Sequence, residues 1–305
     1  MTSSNRLLFH IISLLIAVNL AQAVNNNQKR QVIISFDDGY YTIYKYAYPI
    51  LKKYDVPSTI ALIASYLKDG QPRDYARPLS FMNIGEVRQM VDNLDIEIAS
   101  HSMTHHDLTR LDMKGRQYEL ERSKKLLDSL FNQTTITFVY PYGRTDAQLI
   151  DLTKAVGYQL GRSTRWGEPN LWVDRYKIPI YEVRATTTPD QIISHIKHHK
   201  TTVLLFHRIL PQPSVFTEWS QSQFNQLLAT LTSYENYGIS GEIELITLKD
   251  LYLKWWQEIM TKYLAQKGWL QLNPAPFDKV KGDNLNLGDE IPHNQIKGAG
   301  SYSKR

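Results

Sequence analysis

The chain has 305 residues, of which 42% are hydrophobic and 21% are charged, and its formal net charge is +5. This composition is typical of a globular protein and excludes a collagen, a coiled coil, a disulfide scaffold and a disordered chain. Because the sequence contains no cysteine, any metal site must use histidine and carboxylate ligands. The small excess of positive charge forms no basic stripe, so we do not expect nucleic acid as a partner.

Residues 1–23 have the pattern of a secretory signal peptide. Arg6 supplies a positive charge, the stretch 7–20 is mostly apolar, and Ala21-Gln22-Ala23 matches an A-x-A cleavage site. An uncleaved membrane anchor is the alternative, but the apolar stretch is short for a bilayer span of about 20 residues. We therefore predict an exported protein, located in the periplasm, outside the cell or at the cell surface. The mature form should have no transmembrane segment.

Predicted strands and helices alternate from residue 31 onward. Short apolar runs bounded by turn residues predict strands, and apolar residues at helical spacing predict helices. The predicted strands cover 31–36, 58–64, 96–100, 136–140, 158–162, 177–183, 202–206 and 243–246. The predicted helices cover 42–54 with a kink or late start at Pro49, a segment capped by Asn83, and 116–131, 146–156, 188–199, 220–237 and 248–266.

This alternation predicts a parallel sheet whose strands are joined by crossover helices. For a chain of this length we predict an α/β fold in which seven to eight parallel strands form a distorted or incomplete (β/α) barrel. The folded domain should span 31–270, after a polar lead-in at 24–30. The segment 271–305 is rich in Gly, Pro, Asn and charged residues, so we predict a polar, partly disordered tail.

Polar residues follow several of the predicted strands. Asp37 and Asp38 follow the first strand, His101 and His105 the third, and His207 the strand at 202–206. The carboxyl ends of parallel strands meet on one rim of a barrel, so we expect these side chains to converge. Two histidines and one carboxylate would leave a position open on a catalytic metal. Taken singly, the aspartates could also form a simple turn and the histidines could be structural hydrogen-bonding groups.

Other histidines are less informative. His106 follows His105 directly and could compete with it as a ligand. His195, His198 and His199 lie at helical spacing, which favours a solvated helix face without a functional role.

Four segments, in order, resemble motifs of the polysaccharide deacetylases, also called the NodB-homology or carbohydrate esterase family 4 enzymes. These segments are Ser35-Phe36-Asp37-Asp38-Gly39, Ser100-His101-Ser102-Met103-Thr104-His105, Tyr140-Pro141-Tyr142-Gly143 and Val203-Leu204-Leu205-Phe206-His207. The resemblance extends from Gln31 to Leu253, and four motifs in order are far more specific than one. It implies the distorted barrel of this NodB-homology type and hydrolysis of N-acetyl groups on an amino-sugar polymer.

The resemblance also implies a role for each site residue. Asp38, His101 and His105 would hold a divalent metal, usually zinc, with cobalt or nickel as alternatives. Asp37 would be the general base and His207 the general acid. The remaining group is the backbone N–H of Tyr142, which would help to hold the oxyanion.

One departure from the family concerns Val139, where many members have an arginine that orients the base aspartate. Either another cation, Arg162 or Arg165, does this work here, or Asp37 is less constrained. Bacterial poly-β-1,6-N-acetylglucosamine deacetylases of the family also tend to have an uncharged residue at this position, which favours that polymer as substrate. Peptidoglycan or chitin deacetylation, and a non-catalytic carbohydrate-binding barrel, are the alternatives. Exposed aromatic residues such as Tyr40, Tyr142 or Trp166 could stack on sugar rings.

Overall fold

The computed structural model describes residues 29–68, 80–233 and 243–267. The predicted signal peptide, most of the lead-in and the predicted tail lie outside these residues and stay predictions. The chain separates into two units, 1–261 and 262–305, and only 262–267 of the second unit are described. Within the described ranges, none of the helices combines the length and the apolar character that crossing a bilayer requires.

The first unit is built on parallel strands, as predicted. The strands are β1 (Arg30–Phe36), β2 (Ser58–Leu62), β3 (Ile96–Ser100), β4 (Thr137–Val139), β5 (Leu160–Trp166), β6 (Ile178–Glu182), β7 (Thr201–Phe206), β8 (Arg208–Leu210), β9 (Glu218–Ser220) and β10 (Ile243–Leu245). Strands β1 to β7 form a closed barrel in which β7 returns to pair with β1, and β10 is added at the first residues of β1. The predicted α/β barrel is therefore confirmed: among the described residues, seven strands form the ring, β10 is added to it, and β8 and β9 form a separate two-stranded sheet.

Helices connect most of these strands. They are α1 (Tyr48–Tyr54), α2 (Ile84–Asn93), α3 (Met113–Phe131), α4 (Ala147–Ala155), α5 (Leu171–Asp174), α6 (Pro189–His198), α7 (Gln221–Thr232) and α8 (Leu248–Gln266). Residues 42–54 were predicted to form a helix with a kink or late start at Pro49. A π-helical turn at Ile43–Ala47 runs directly into α1, and the proline occupies the first turn of that helix. Asn83 and Glu86 form a capping box at the start of α2.

The structure differs from the sequence predictions in three places. Strand β5 continues to Trp166 through a register shift against β6, so it is longer and more irregular than predicted. The short elements α5, β8 and β9 were not predicted, because three or four residues are too few to show a period. Helix α3 begins three residues earlier than predicted, since the side chain of Asp112 caps it by accepting a hydrogen bond from the N–H of Gly115.

The barrel wall packs on both of its faces. Val32, Ile34 and Phe36 belong to a buried cluster that includes helix residues such as Leu51 and Leu228, so they face outward. The alternate residue Ile33 belongs to a second cluster with Val203, Leu205 and Leu160 on the inner face. This alternation is the period of a strand, and it directs the residues at the carboxyl end of β1 either to the interior or to the helices.

A buried carboxylate lies inside the barrel near the beginning of the strands. Glu97 accepts hydrogen bonds from the hydroxyls of Thr59 (2.8 Å) and Thr137 (2.5 Å) and from the backbone N–H of Lys249 (2.8 Å) at the start of α8. Burial raises the pKa of Glu97, and these hydrogen bonds only partly oppose the rise. The beginning of α8 is therefore fastened to the barrel interior by a carboxyl group that resists ionisation.

Glu97→Gln should make stability less sensitive to pH. As pH rises above the ordinary carboxyl pKa of 4.5, the unfolded wild type loses its proton before the folded wild type does, so wild-type stability falls through this window. Glutamine cannot ionise, so the melting temperature of the variant relative to wild type should increase with pH. Thermal unfolding at several pH values tests this, with Glu121→Gln, at a half-exposed carboxylate paired with Lys125, as the control. A difference that is constant with pH would contradict the prediction.

Candidate active site

The carboxyl end of β1 delivers two aspartates into the same region in different directions. The N–H of Asp37 donates to the carbonyl of Phe206 (3.0 Å), which extends the β1–β7 ladder and places Asp37 beside the end of β7. The next residues, Asp38 and Gly39, have φ values of 70° and 75°, so the chain turns sharply at once. Both aspartates are buried.

Three predicted ligands meet at this rim. The Nε2 atoms of His101 and His105 lie 3.4 Å and 3.3 Å from the same Oδ1 atom of Asp38. In the described part of the chain, this is the one group of three or more histidine, aspartate or glutamate side chains whose ligand atoms all lie within 4.8 Å of one another. The sequence prediction that these three residues converge is therefore correct.

The donor atoms fit a divalent metal. The Nδ1 of His101 lies 2.8 Å from the carbonyl of Val139, and a carbonyl can only accept, so this nitrogen carries the hydrogen and Nε2 is free to ligate. Two ligands at ~2.1 Å from one tetrahedral ion lie about 3.4 Å apart, which is the spacing found between the imidazole nitrogens and Asp38. Two neutral nitrogens and one anionic oxygen suit zinc or a similar ion.

The charges at the site favour cation binding. Burial alone would raise the pKa of Asp38, but the hydrogen bond and charge of His101, with the charges of His207 and His105, lower it to about 2. The pKa of His105 is lowered by burial and by His101. Burial opposes protonation of His101, yet its pKa is raised because Asp38 and Asp37 outweigh that effect. Asp38 and His105 are thus ready to ligate, and at Nε2 of His101 a metal ion would compete with a proton.

His207 follows β7, and its position is fixed by the pairing of Phe206 with Phe36. His207 lies close enough to Asp38 and His105 to interact electrostatically with both. The Nδ1 atom of His207 is buried and has no hydrogen-bond partner among the described residues. A buried, unpartnered imidazole nitrogen is costly, and a group of this kind at the rim is available to a bound molecule.

Tyr142 packs beside His105, and the centroids of the two rings lie 4.8 Å apart. Its φ of 59° is left-handed, and 57% of the residue is exposed. Gly143 is required in the next position, because its φ is +67° and an added Cβ would overlap the side chain and backbone of Thr164. This turn holds the Tyr142 backbone at the rim.

The part of the chain that carries most of this site is similar in sequence to known proteins. Residues 24–161 match the family model for polysaccharide deacetylase, a range that includes five of the six predicted site residues and leaves out His207. This part of the chain is similar to the polysaccharide deacetylases.

Two curated relatives of the family match about half of this chain. “Putative polysaccharide deacetylase YxkH” of Bacillus subtilis is 36% identical over 155 residues, which are 51% of this chain and 51% of that protein. Poly-beta-1,6-N-acetyl-D-glucosamine N-deacetylase of Staphylococcus aureus is 31% identical over 143 residues, which are 44% of this chain and 48% of that protein. The chain thus spans about half the length of the curated relatives it matches.

One solved relative supports the fold. A variant of the peptidoglycan deacetylase PdaC from Bacillus subtilis aligns with a TM-score of 0.52 at 18% identity, covering 79% of this chain and 98% of that one. At this identity the similarity concerns the barrel architecture alone.

The cation that this family often places at the position of Val139 comes here from the neighbouring strand. Val139 on β4 pairs in register with Arg162 on β5. The fully buried guanidinium of Arg162 crosses the barrel and forms an ion pair with Asp37. Arg165, the other candidate, is exposed. The sequence left two arginines open, and the structure places Arg162 on Asp37.

Three other candidates from the sequence lie away from the ligand set or in different roles. The side chain of His106 is 66% exposed, and its Nδ1 lies 2.5 Å from the Thr104 hydroxyl. Trp166 packs on Tyr181 (ring centroids 4.6 Å apart) on the outer flank of the barrel. Tyr40 lies beside the metal ligands, but its hydroxyl hydrogen-bonds to Asp38, and burial and that carboxylate raise the pKa of Tyr40. No residue pattern around Tyr40 indicated this bond.

The histidines of α6 are less solvated than predicted. The rings of His195 and His199 stack with centroids 3.8 Å apart, and His195 also contacts Tyr181 at 4.4 Å. Burial, together with the charge of His199, lowers the pKa of His195 to about 4. Only His198 retains the exposed position expected of a solvated face.

Arg162→Met should be strongly destabilising. Removing one member of a buried ion pair leaves the other charge uncompensated, which costs about 3–5 kcal/mol, so chemical denaturation should show a loss of this size. Arg165→Met, at an exposed position three residues away, should change the unfolding free energy by less than about 1 kcal/mol. Adding Asp37→Asn to Arg162→Met should restore part of the loss. Equal effects of the two arginine substitutions would contradict the pairing.

His105→Ala should remove the bound metal, whereas His106→Ala should retain it. The reason is that Nε2 of His105 points at Asp38, while His106 contacts Thr104. Metal content after dialysis against zinc-free buffer, measured by elemental analysis, distinguishes the two variants. Full metal occupancy in His105→Ala, combined with loss of metal in His106→Ala, would mean that His106 and not His105 is the ligand.

Proposed function

We propose that the protein is an exported, metal-dependent polysaccharide N-deacetylase that hydrolyses the acetamide groups of N-acetylglucosamine polymers. The observation that carries the proposal is that a set of metal ligands and two acid–base side chains lie together on one rim of the barrel. A three-residue ligand set lies there beside a second buried carboxylate, Asp37, and beside His207, whose buried Nδ1 has no hydrogen-bond partner among the described residues. Hydrolysis of an amide needs a group that polarises the carbonyl, a base that activates water and an acid that protonates the leaving amine. This rim offers residues for each role. Export is supported by the signal-peptide pattern of residues 1–23.

The ligand set would hold a divalent ion. Asp38, His101 and His105 supply one oxygen and two nitrogens, and zinc is the expected metal, with cobalt or nickel as alternatives. When bound, such an ion polarises a carbonyl and increases the acidity of water. The other steps belong to side chains of the protein.

Asp37 would act as the general base. Its Oδ2 atom lies 4.0 Å from Nε2 of His101, so the carboxylate borders the ligand set without belonging to it. Arg162 binds the other oxygen, Oδ1, and therefore fixes the orientation of the carboxylate. Oδ2 is the oxygen left to accept a proton from the attacking water.

His207 would act as the general acid, and Tyr142 would stabilise negative charge. A protonated His207 can donate to the amine nitrogen as the C–N bond breaks, which makes that amine a neutral leaving group. The left-handed turn at Tyr142 holds the backbone at the rim, where its N–H can stabilise the oxyanion that develops on the acetamide carbonyl.

The favoured substrate is poly-β-1,6-N-acetylglucosamine. Two observations support it: the S. aureus relative is named for that polymer, and the uncharged residue Val139 stands where many other members have arginine. The exposed ring of Tyr142 beside His105 offers an apolar face to a sugar ring.

Acetate release is the decisive measurement. Purified protein loaded with zinc should release acetate from poly-β-1,6-N-acetylglucosamine, and faster than from peptidoglycan or a chitin oligosaccharide. Chelation should abolish release and zinc should restore it. Asp37→Asn is the matched inactive control, expected to retain metal and fold while losing about 10²–10⁴-fold in rate.

The outcomes separate the alternatives. Release from peptidoglycan or chitin instead would keep the chemistry and change the polymer. Binding of the polymers without release by any metal-loaded preparation would favour a non-catalytic carbohydrate-binding barrel. Loss of metal in Asp37→Asn with retention of the fold would mean that the two aspartates have exchanged roles.

His207→Ala should lower kcat and flatten the alkaline limb of the activity profile. If His207 donates a proton to the leaving amine, wild-type activity must fall as the imidazole loses that proton at higher pH. The metal content of the variant should be unchanged, because His207 lies outside the three-residue ligand set. An unchanged alkaline limb in a folded, metal-loaded variant would assign that limb to another group.

A further inference from the structure

The loop between β3 and α3 carries His105 in an unusual backbone conformation. Ser102 has a φ of 69° and His105 a φ of 63°, both in the left-handed region that non-glycine residues avoid. A strained conformation persists only where neighbouring groups hold it in place. The position of His105 therefore depends on what binds residues 102–105.

A buried carboxylate from α3 binds this loop. One oxygen of Glu119, Oε2, accepts hydrogen bonds from the backbone N–H groups of Met103 (2.8 Å) and Thr104 (2.9 Å). The other oxygen, Oε1, accepts from the Thr104 hydroxyl at 2.5 Å. Glu119 is only 4% exposed. One side chain thus holds two of the three peptide groups between Ser102 and His105, and the third N–H, that of His105, donates to the Ser102 hydroxyl at 2.9 Å.

The loop is also held by the segment that follows β2. The N–H groups of Ala64 and Ser65 donate to the carbonyls of Ser102 (3.1 Å) and Met103 (3.0 Å). These bonds restrain the carbonyl groups, while Glu119 restrains the N–H groups that point the other way. The two sets together leave the loop little freedom to relax.

The partners of Glu119 explain why a charge is buried there. Among the described residues, the basic nitrogen that lies within 4.0 Å of Glu119 is Nδ1 of His106, at 3.9 Å from Oε1 on a side chain that is 66% exposed. A buried carboxylate without a strong cation partner must be stabilised by hydrogen bonds, and the loop supplies three of them. Helix and loop therefore stabilise each other.

We propose that Glu119 is a positioning residue for the metal site, an inference that rests on the proposed function. It holds the loop so that Nε2 of His105 reaches Asp38, and it contacts neither the metal nor the substrate. Removing it should release the strain at Ser102 and His105 by letting the loop move. The metal would then lose a preorganised ligand.

Zinc affinity is the primary readout, measured by competition with a chromophoric chelator on the full chain. Glu119→Ala should weaken zinc binding about 10–100-fold, the loss usual for outer-sphere partners of metal ligands. Glu119→Gln keeps one acceptor oxygen for the two N–H groups and an amide that can donate to the Thr104 hydroxyl, so it should lose less than Glu119→Ala. Glu121→Ala, on the same helix, is the matched control and should bind zinc as wild type does.

The results have distinct meanings. Wild-type zinc affinity in Glu119→Ala would overturn the inference. Equal losses of affinity in the Gln and Ala variants would also overturn it, because they would show that zinc binding needs the charge of Glu119 and not its hydrogen bonds to the loop. If Glu119→Ala does not fold, Glu119→Gln and Thr104→Val decide, and wild-type affinity in both would overturn it. A wild-type protein that binds no zinc would overturn the proposed function as well, which makes the two failures distinguishable.

Discussion

The pairing of β7 with β1 is the contact on which the rest of the site depends. It joins residues near position 36 to residues near position 206, so a long stretch of chain must be ordered before the ring closes. Closure sets Asp37 beside His207 and turns seven strand ends towards one another. Without this pairing, Asp37 and His207 would lie on separate edges of an open sheet.

Once the ring is closed, its interior determines which charges can exist there. Small residues, Ala61, Ala99 and Val139, form a buried cluster inside the wall on β2, β3 and β4. Their size leaves space for the long side chain of Arg162 to reach Asp37 on the far side of the barrel. At the other end of the interior, Glu97 binds the beginning of α8. The apolar cluster around Ile33 lies between these two polar regions, which keeps the carboxylates apart.

The sequence alone predicted the repeating architecture and the convergence of Asp38, His101 and His105 well, for a physical reason. Strand and helix periods are local, and Asp38, His101 and His105 each follow a strand whose end must lie on the rim. Arg162 could not be chosen over Arg165 because the choice depends on the register of β5 against β4. Glu119 was missed although a signal exists: Arg116, Glu119 and Ser123 are polar residues on the buried stripe of α3. Polar groups on such a stripe indicate a specific partner, but not which one.

The exchange between Val139 and Arg162 has a consequence for how sites inside barrels change over time. Two neighbouring strands run side by side at the same height, so either can extend a long side chain to the same spot in the enclosed space. What must be preserved is the position of the positive charge beside the carboxylate, and the strand that carries the charged residue is free to vary. A charge can therefore migrate from one strand to the next without a change in the geometry around the carboxylate. A comparison made position by position along a motif would record the loss of an arginine, although the barrel interior still contains an arginine beside the carboxylate.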